Sequence, residues 1–272
     1  MNTSVRIAHR MSAAGIAYTR MGRGEPLLLI HGIGSSRHTW RTVMIDVARE
    51  REVIAVDLPG FGLSRPGSST VSSCADALAG LIKELELTAP HVVGHSFGGA
   101  IALELGRRGV ARTVVAFAPI GFWGAPGVVW AQMALRATYT MSRSLRWALP
   151  LLAKTRIGRT AAAGLFYGRP DAIPPSQIIE DAEIFSGATA FSDVCEGFGD
   201  YVFTVPDKLC DIPVTIVWGT RDRLLPAGSQ ARRARSALPN AQHVCLDGVG
   251  HAAVSEDATS SRLLVSDRWD RA

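Results

Sequence analysis

Residues 94–98 read Gly-His-Ser-Phe-Gly and follow the apolar run His91-Val92-Val93. A serine in that frame sits at a sharp turn from strand into helix, its hydroxyl held out at the rim of a sheet. Glycine on both sides lets the two backbone segments approach with no Cβ between them. Ser96 is therefore the candidate nucleophile. A serine hydroxyl is weak near neutral pH; it needs a base, and the base needs an acid to orient it. Two downstream segments supply them. Val214–Gly219 is an apolar strand that runs into Thr220-Arg221-Asp222, which puts Asp222 in a loop at a strand end. Residues 243–246, His-Val-Cys-Leu, form another short strand, and Gly248-Val249-Gly250-His251 follows, which puts His251 in the next such loop. Upstream, Pro26–Ile30 is a buried strand followed by His31-Gly32-Ile33-Gly34. The N–H of Ile33 and that of Phe97, next after the serine, are the expected oxyanion donors. The chemistry is acyl transfer to Ser96, with His251 moving the proton and Asp222 fixing the imidazole.

Other polar residues nearby have quieter roles. His31 shapes the oxyanion loop. Asp57 opens an Asp-Leu-Pro-Gly sequence with strong turn chemistry. His95, wedged between Gly94 and the serine, packs or hydrogen-bonds and is not the base. Substrate contacts are expected from His31, Gly32 and His95 at the rim, and from Phe122, Trp123 and Trp130 beyond it.

The elements that must position these groups alternate. Residues 15–18 read as an early strand, and residues 53–56 as a buried strand ending at Asp57. Ala75, Leu78, Ala79, Ile82 and Leu85 recur at helical spacing, so residues 73–86 form an amphipathic helix. A helix over 98–108 follows the serine, and Thr113–Phe117 is the next strand. Alternation of this kind implies an α/β fold, a mostly parallel sheet covered on both faces. Crossovers should be right-handed and the site should sit at the carboxyl ends of the strands. Residues 121–205 break the rhythm. They are rich in aromatics and alanine, with no strand alternation. Their first half, to Pro175, carries seven positive residues against Asp171 alone; their second half carries six acids and no Lys or Arg. The two halves are expected to neutralise each other or to face solvent separately. The functional alternative is an arginine that holds a substrate carboxylate. No strong basic stripe marks any one helix. Beyond Asp211 the sheet resumes. Residues 228–237 form a helix with Arg232, Arg233 and Arg235 in solvent, and a closing helix turns Leu263, Leu264 and Val265 inward.

In this order the motifs resemble a known family. They are His31-Gly32, Asp57-Leu58-Pro59-Gly60-Phe61-Gly62-Leu63-Ser64, Gly94-His95-Ser96-Phe97-Gly98-Gly99, Trp218-Gly219-Thr220-Arg221-Asp222 and Gly250-His251. The chain resembles the α/β-hydrolase superfamily in its lid-bearing, serine-esterase-like branch. The resemblance covers the two flanks well and the middle poorly. It implies the α/β-hydrolase fold: an eight-stranded, mostly parallel sheet flanked by helices. The core would be residues 1–120 and 206–272, with residues 121–205 inserted as a helical lid. It implies an acyl-serine intermediate and no cofactor. Epoxide hydrolases and haloalkane dehalogenases of this superfamily carry aspartate at the position of Ser96. The carbon–carbon bond hydrolases of aromatic ring cleavage use serine but usually carry asparagine where His95 stands.

Composition narrows the rest. The chain has 272 residues, 47 % apolar and 19 % charged, enough for one large domain and against global disorder. Net charge is +5, carried almost wholly by arginine and not clustered as a nucleic-acid footprint would be. Cys74, Cys195, Cys210 and Cys245 form no C-x-x-C, so no metal site is expected and a cytoplasmic location with free thiols is. Residues 1–6 carry no signal-peptide pattern, and no stable membrane insertion is expected. Nothing in the sequence excludes a homodimer. The expected function is hydrolysis of a carboxylic ester of a small, largely apolar substrate. The alternatives are carbon–carbon bond hydrolysis of an aromatic ring-cleavage product, or ligand binding without turnover on the same fold.

Overall fold

The computed structural model describes residues 9–67, 69–204 and 207–266. Strands β1 (His9–Met11), β2 (Ala17–Met21), β3 (Pro26–Ile30), β4 (Glu52–Val56), β5 (His91–His95), β6 (Thr113–Phe117), β7 (Val214–Gly219) and β8 (Gln242–Leu246) join in one sheet. Their order is β1-β2-β4-β3-β5-β6-β7-β8. β2 is antiparallel to both of its neighbours and every other pair is parallel, so β2 alone runs against the rest. This is the α/β-hydrolase fold class, an eight-stranded, mostly parallel sheet flanked by helices.

Alternate residues of each central strand serve opposite faces, as the two-residue period of a strand demands. Leu28, Ile30, Val92, Val114, Ala116 and Ile216 enter one core, beneath α2 (Val71–Glu84) and α3 (Phe97–Arg107). Leu27, Leu29, Val93, Val115, Phe117 and Val217 enter the other. There they meet Trp40, Val43 and Met44 at α1 (Arg41–Val47), and Leu264 and Val265 of the closing helix, residues 258–266. Burial on both faces is why these strands read as unbroken apolar runs. Thr70 and Ser73 close a capping box that starts α2 two residues before the expected position.

Register brings the carboxyl ends level. Ile30 pairs with Gly94, His95 with Phe117, and Phe117 with Val217. The His31 loop, the Ser96 turn and the Asp222 loop therefore leave the sheet along one rim. Between β6 and β7 the regular elements of the described residues are all helical, among them α4 (Ala125–Ser144), α5 (Leu149–Leu152), α6 (Arg156–Ala163), α7 (Pro175–Gly187) and α8 (Phe191–Glu196). Tyr139 of α4 stacks on Phe191 of α8 with ring centroids 4.1 Å apart, and Phe185 of α7 meets both edge-on. The expected end of this insertion, residues 205 and 206, lies outside the described residues.

Two expectations need adjustment. The early strand begins at Ala17, because Gly15, at φ +82°, belongs to a tight turn in which Gly15 N–H donates to Ser12 O. β1 is too short and exposed to show in the pattern. Leu263 points outward, 42 % exposed, while Leu264 and Val265 are buried. A helix cannot turn three consecutive side chains to one face. Arg232, Arg233 and Arg235 do face solvent on α9 (Ala227–Ala237). Leu29→Ala should cost about 2–5 kcal/mol by opening a cavity under the sheet. Leu263→Ala should stay within about 0.5 kcal/mol. Urea denaturation of the two variants reads the contrast.

Candidate active site

Ser96 is the single residue between β5 and α3, at φ 55° and ψ −114°. That backbone costs a non-glycine residue on the order of 1–3 kcal/mol and persists only where its surroundings fix it. Ser96 N–H donates to Phe117 O at 2.8 Å, and Ile120 N–H donates to Ser96 O at 3.3 Å. Space fixes the flanking residues. A Cβ on Gly94 would lie 2.0 Å from Gly98 O, and one on Gly98 would lie 2.3 Å from His31 O. The two glycines are thus required by close approach of backbone to backbone.

Asp222 and His251 come together as their loops leave β7 and β8. Both side chains are buried, and His251 Nδ1–H donates to Asp222 Oδ2 at 2.8 Å. Asp222 Oδ1 accepts the N–H groups of Leu224 at 2.9 Å and Leu225 at 2.7 Å. One carboxylate oxygen is spent on its own loop, and the other is aimed at the imidazole. The histidine loop is clamped from the far side by Glu256. Its carboxylate accepts the N–H groups of Gly250 at 2.7 Å, Gly168 at 2.9 Å and Arg169 at 2.7 Å. Ala252 N–H adds a bond to Phe166 O at 2.8 Å.

His31 is fully buried. Its Nε2 accepts Leu58 N–H at 2.9 Å, so the proton resides on Nδ1, which donates to Gly32 O at 2.7 Å. Burial pushes its pKa down and keeps it neutral, which this bonding requires. The Gly32 carbonyl and the Ile33 N–H lie in one trans peptide plane and point in opposite directions. By holding the carbonyl, His31 turns the Ile33 N–H the other way. Neither Ile33 N–H nor Phe97 N–H has a protein acceptor among the described residues. Asp57 acts as a turn former. It accepts Arg37 N–H at 2.7 Å and Leu63 N–H at 2.9 Å, and pairs with the Arg37 guanidinium.

His95 is not placed as a base. Its Nε2–H donates to His251 O at 2.8 Å. Burial, followed by the charge of His251 beside it, drives its pKa down to about 3.

Ser96 and His251 open on one cavity of about 120 Å³. Gly32, Ile33 and His95 line it at the rim of the sheet, while Leu135, Phe166 and Phe185 cover it from the inserted helices. One wall is polar: the Tyr167 hydroxyl donates to Asp181 Oδ2 at 2.5 Å, and burial raises the pKa of both. Of the expected substrate contacts, His31, Phe122, Trp123 and Trp130 do not line it. Phe122 packs on Phe203 and Trp123 on Phe198, while Trp130, exposed, donates its indole N–H to Arg223 O. None of the arginines of residues 121–175 lines it either. Arg136 lies 3.6 Å from Glu196, which joins the basic half to the acidic half, while Arg156 lies 3.9 Å from Asp171 of its own half. Ile178 and Phe185 stand seven apart on α7, a spacing legible as one helix face. Tyr167, Asp181 and Glu256 carried no such signal.

Residues 27–260 match the model of a family described as the alpha/beta hydrolase family. The magnesium-chelatase 30 kDa subunit of Rhodobacter capsulatus is 32 % identical over 261 residues, covering 89 % of this chain and 86 % of that one. The 2-hydroxy-6-oxo-2,4-heptadienoate hydrolase of Pseudomonas putida is 39 % identical over 115 residues, 39 % of this chain and 42 % of that one. A thermophilic esterase from Thermogutta terrifontis superimposes with a TM-score of 0.72 at 23 % identity, covering 94 % of this chain and 93 % of that one. At that identity the likeness is one of fold.

The depressed pKa of His95 has a thermodynamic consequence. Below its ordinary value of 6.5 the unfolded chain takes up a proton that the folded one refuses until about pH 3. Stability present above pH 6.5 is therefore lost as pH falls through that window, by up to about 1.4 kcal/mol per pH unit. His95→Gln keeps a donor for His251 O and removes the titration. Its urea midpoint should fall less steeply with acid than that of the parent.

Proposed function

The chain belongs to the alpha/beta hydrolase family, and from that premise we propose that it hydrolyses a carboxylic ester of a small, largely apolar substrate through an acyl-serine. The observation that carries this reading is the shared cavity. Ser96 and His251 both line it, and Asp222 holds the far nitrogen of the same imidazole. Ser96 Oγ adds to the ester carbonyl as His251 Nε2 takes its proton. Asp222 stabilises the imidazolium without itself being protonated. The N–H groups of Ile33 and Phe97 receive the oxyanion. Collapse expels the alcohol, which leaves with the proton from His251. Water then adds to the acyl-serine by the same route and releases the acid. Helices 121–205 act as the lid. A cavity of about 120 Å³ is of the size that holds a benzene ring, which supports a short acyl group. No helix of the described residues is long and apolar enough to cross a membrane. The free cysteines support a cytoplasmic location.

A second reading is hydrolysis of a carbon–carbon bond in a ring-cleavage product. The Pseudomonas relative supports it over 39 % of the chain. The want of an arginine in the cavity weighs against it, since such acids need a cation to hold the carboxylate.

Turnover of p-nitrophenyl esters of increasing acyl length, beside a ring-cleavage dienoate, tests both. Acetyl and butyryl esters should turn over fastest. Ser96→Ala should abolish turnover and labelling by a fluorophosphonate. Asp222→Asn should lower kcat by about 10⁴-fold, with no further loss when combined with Ser96→Ala. Activity that survives Ser96→Ala would sink the mechanism, and a preference for the dienoate would favour the second reading. A separate measurement sizes the pocket. Phe185→Ala should shift the optimum to longer acyl chains, while Trp130→Ala should leave it where it was.

A further inference from the structure

The outward side of residues 129–157 is apolar and basic at once. Nine of the fourteen large apolar side chains exposed among the described residues fall there, so the exposure is concentrated in one segment. Val129, Met133, Met141 and Leu145 follow one another along α4 and its C-cap in multiples of four, and all are exposed. On an ordinary surface helix that spacing marks the side turned to the core. Here Ala131 and Leu135 take that side. Beyond α4, Trp147 is 78 % exposed, Leu151 69 % and Ile157 85 %.

The same stretch carries Arg136, Arg143, Arg146, Lys154 and Arg156 and no acid. Arg136 and Arg156 have carboxylates near them, and Arg143 is bonded to Tyr139 and to Ser186 O. Arg146 and Lys154 have no carboxylate partner among the described residues. A sequence window on one helix misses this face, because its charges are spread over α4, α6 and the turns on either side of α5. A groove lined by Arg143, Arg146, Trp147 and the acid Glu183 shares Ser142 and Ala182 with the wall of the Ser96 cavity.

We propose that this segment seats the protein on an anionic lipid surface. Trp147, Leu151 and Ile157 enter the headgroup boundary, and Arg146 and Lys154 meet lipid phosphates. Charge selects this occupant. Two copies joined about a two-fold axis at Trp147 would set Arg146 against Arg146. An anionic bilayer satisfies both halves of the face, taking apolar side chains into its boundary and attracting the cations from outside. Tryptophan suits that depth, with its ring in the boundary and its N–H toward water. The seating is on the surface, and it puts the Ser96 cavity one helix wall from the lipid.

Co-sedimentation with vesicles tests it. The protein should bind vesicles of equal parts phosphatidylglycerol and phosphatidylcholine at low salt, and release as salt rises. Phosphatidylcholine alone should bind far less. Arg146→Gln/Lys154→Gln should weaken binding by about tenfold or more, and Trp147→Ala should weaken it at every salt concentration. All three positions are exposed, and a thermal melt verifies that each variant is folded. Ser96→Ala should bind as the parent does, so the result stands apart from hydrolysis. Equal binding to both vesicles, no binding at low salt, or a dimer that Trp147→Ala dissolves in place of vesicle binding would overturn the proposal.

Discussion

The site depends on how closely two pieces of backbone approach where β5 becomes α3. One residue makes that turn, and it must have a side chain if, as proposed, that side chain is the nucleophile. The left-handed backbone of Ser96 is a cost the fold accepts. It is met by the central position of β5, paired on both edges, and by the glycines that let α3 sit directly on the strand ends. A methyl group at position 94 or 98 would meet a carbonyl oxygen well inside contact distance. Everything downstream follows from this placement. It fixes the Phe97 N–H at a helix start, and it brings the His31 loop against the serine.

Around this turn the electrostatics are set by what is denied a charge. His31 and His95 are buried and neutral, each with a nitrogen committed to a backbone group. Beside Ser96, His251 alone is tied to a carboxylate. A buried imidazole that gains a proton needs such a partner, because an isolated charge in a low-dielectric pocket is expensive. Three histidines near one serine therefore have different tasks, divided by hydrogen bonding and not by residue type.

The flanks were legible because they obey short-range rules. Parallel strands buried on both faces read as apolar runs, and a sharp turn flanked by close-packed backbone reads as Gly-x-Ser-x-Gly. Asp222 and His251 could be located for the same reason, each standing just past an apolar strand. The cavity wall was not legible in the same way. Phe122, Trp123 and Trp130 were reasonable candidates as large rings just past β6, yet the first two pack before α4 begins and α4 turns Trp130 to the surface. Phe166, Tyr167 and Asp181 reach the cavity only through the mutual packing of helices far apart in sequence, which no local period encodes. Leu263 shows the limit in miniature. Its apolar character said buried, and the helix had already filled the inward side with its neighbours.

Glu256 ties three backbone N–H groups to one carboxylate, two from the loop after α6 and one from the loop that carries His251. Glycine at 168 and 250 lets these two segments touch, since a Cβ on Gly250 would lie 2.4 Å from Gly168 N. The roof of the cavity and the loop of its base are thus riveted along one seam. A hinge on this side would have to tear that seam, leaving a half-buried carboxylate without its donors and the imidazole without its brace. If the inserted segment acts as the proposed lid, an opening that spares this seam would pivot about this edge and part the opposite one. Access and proton transfer would then share a fixed axle, and opening would leave the pairing of His251 with Asp222 in place.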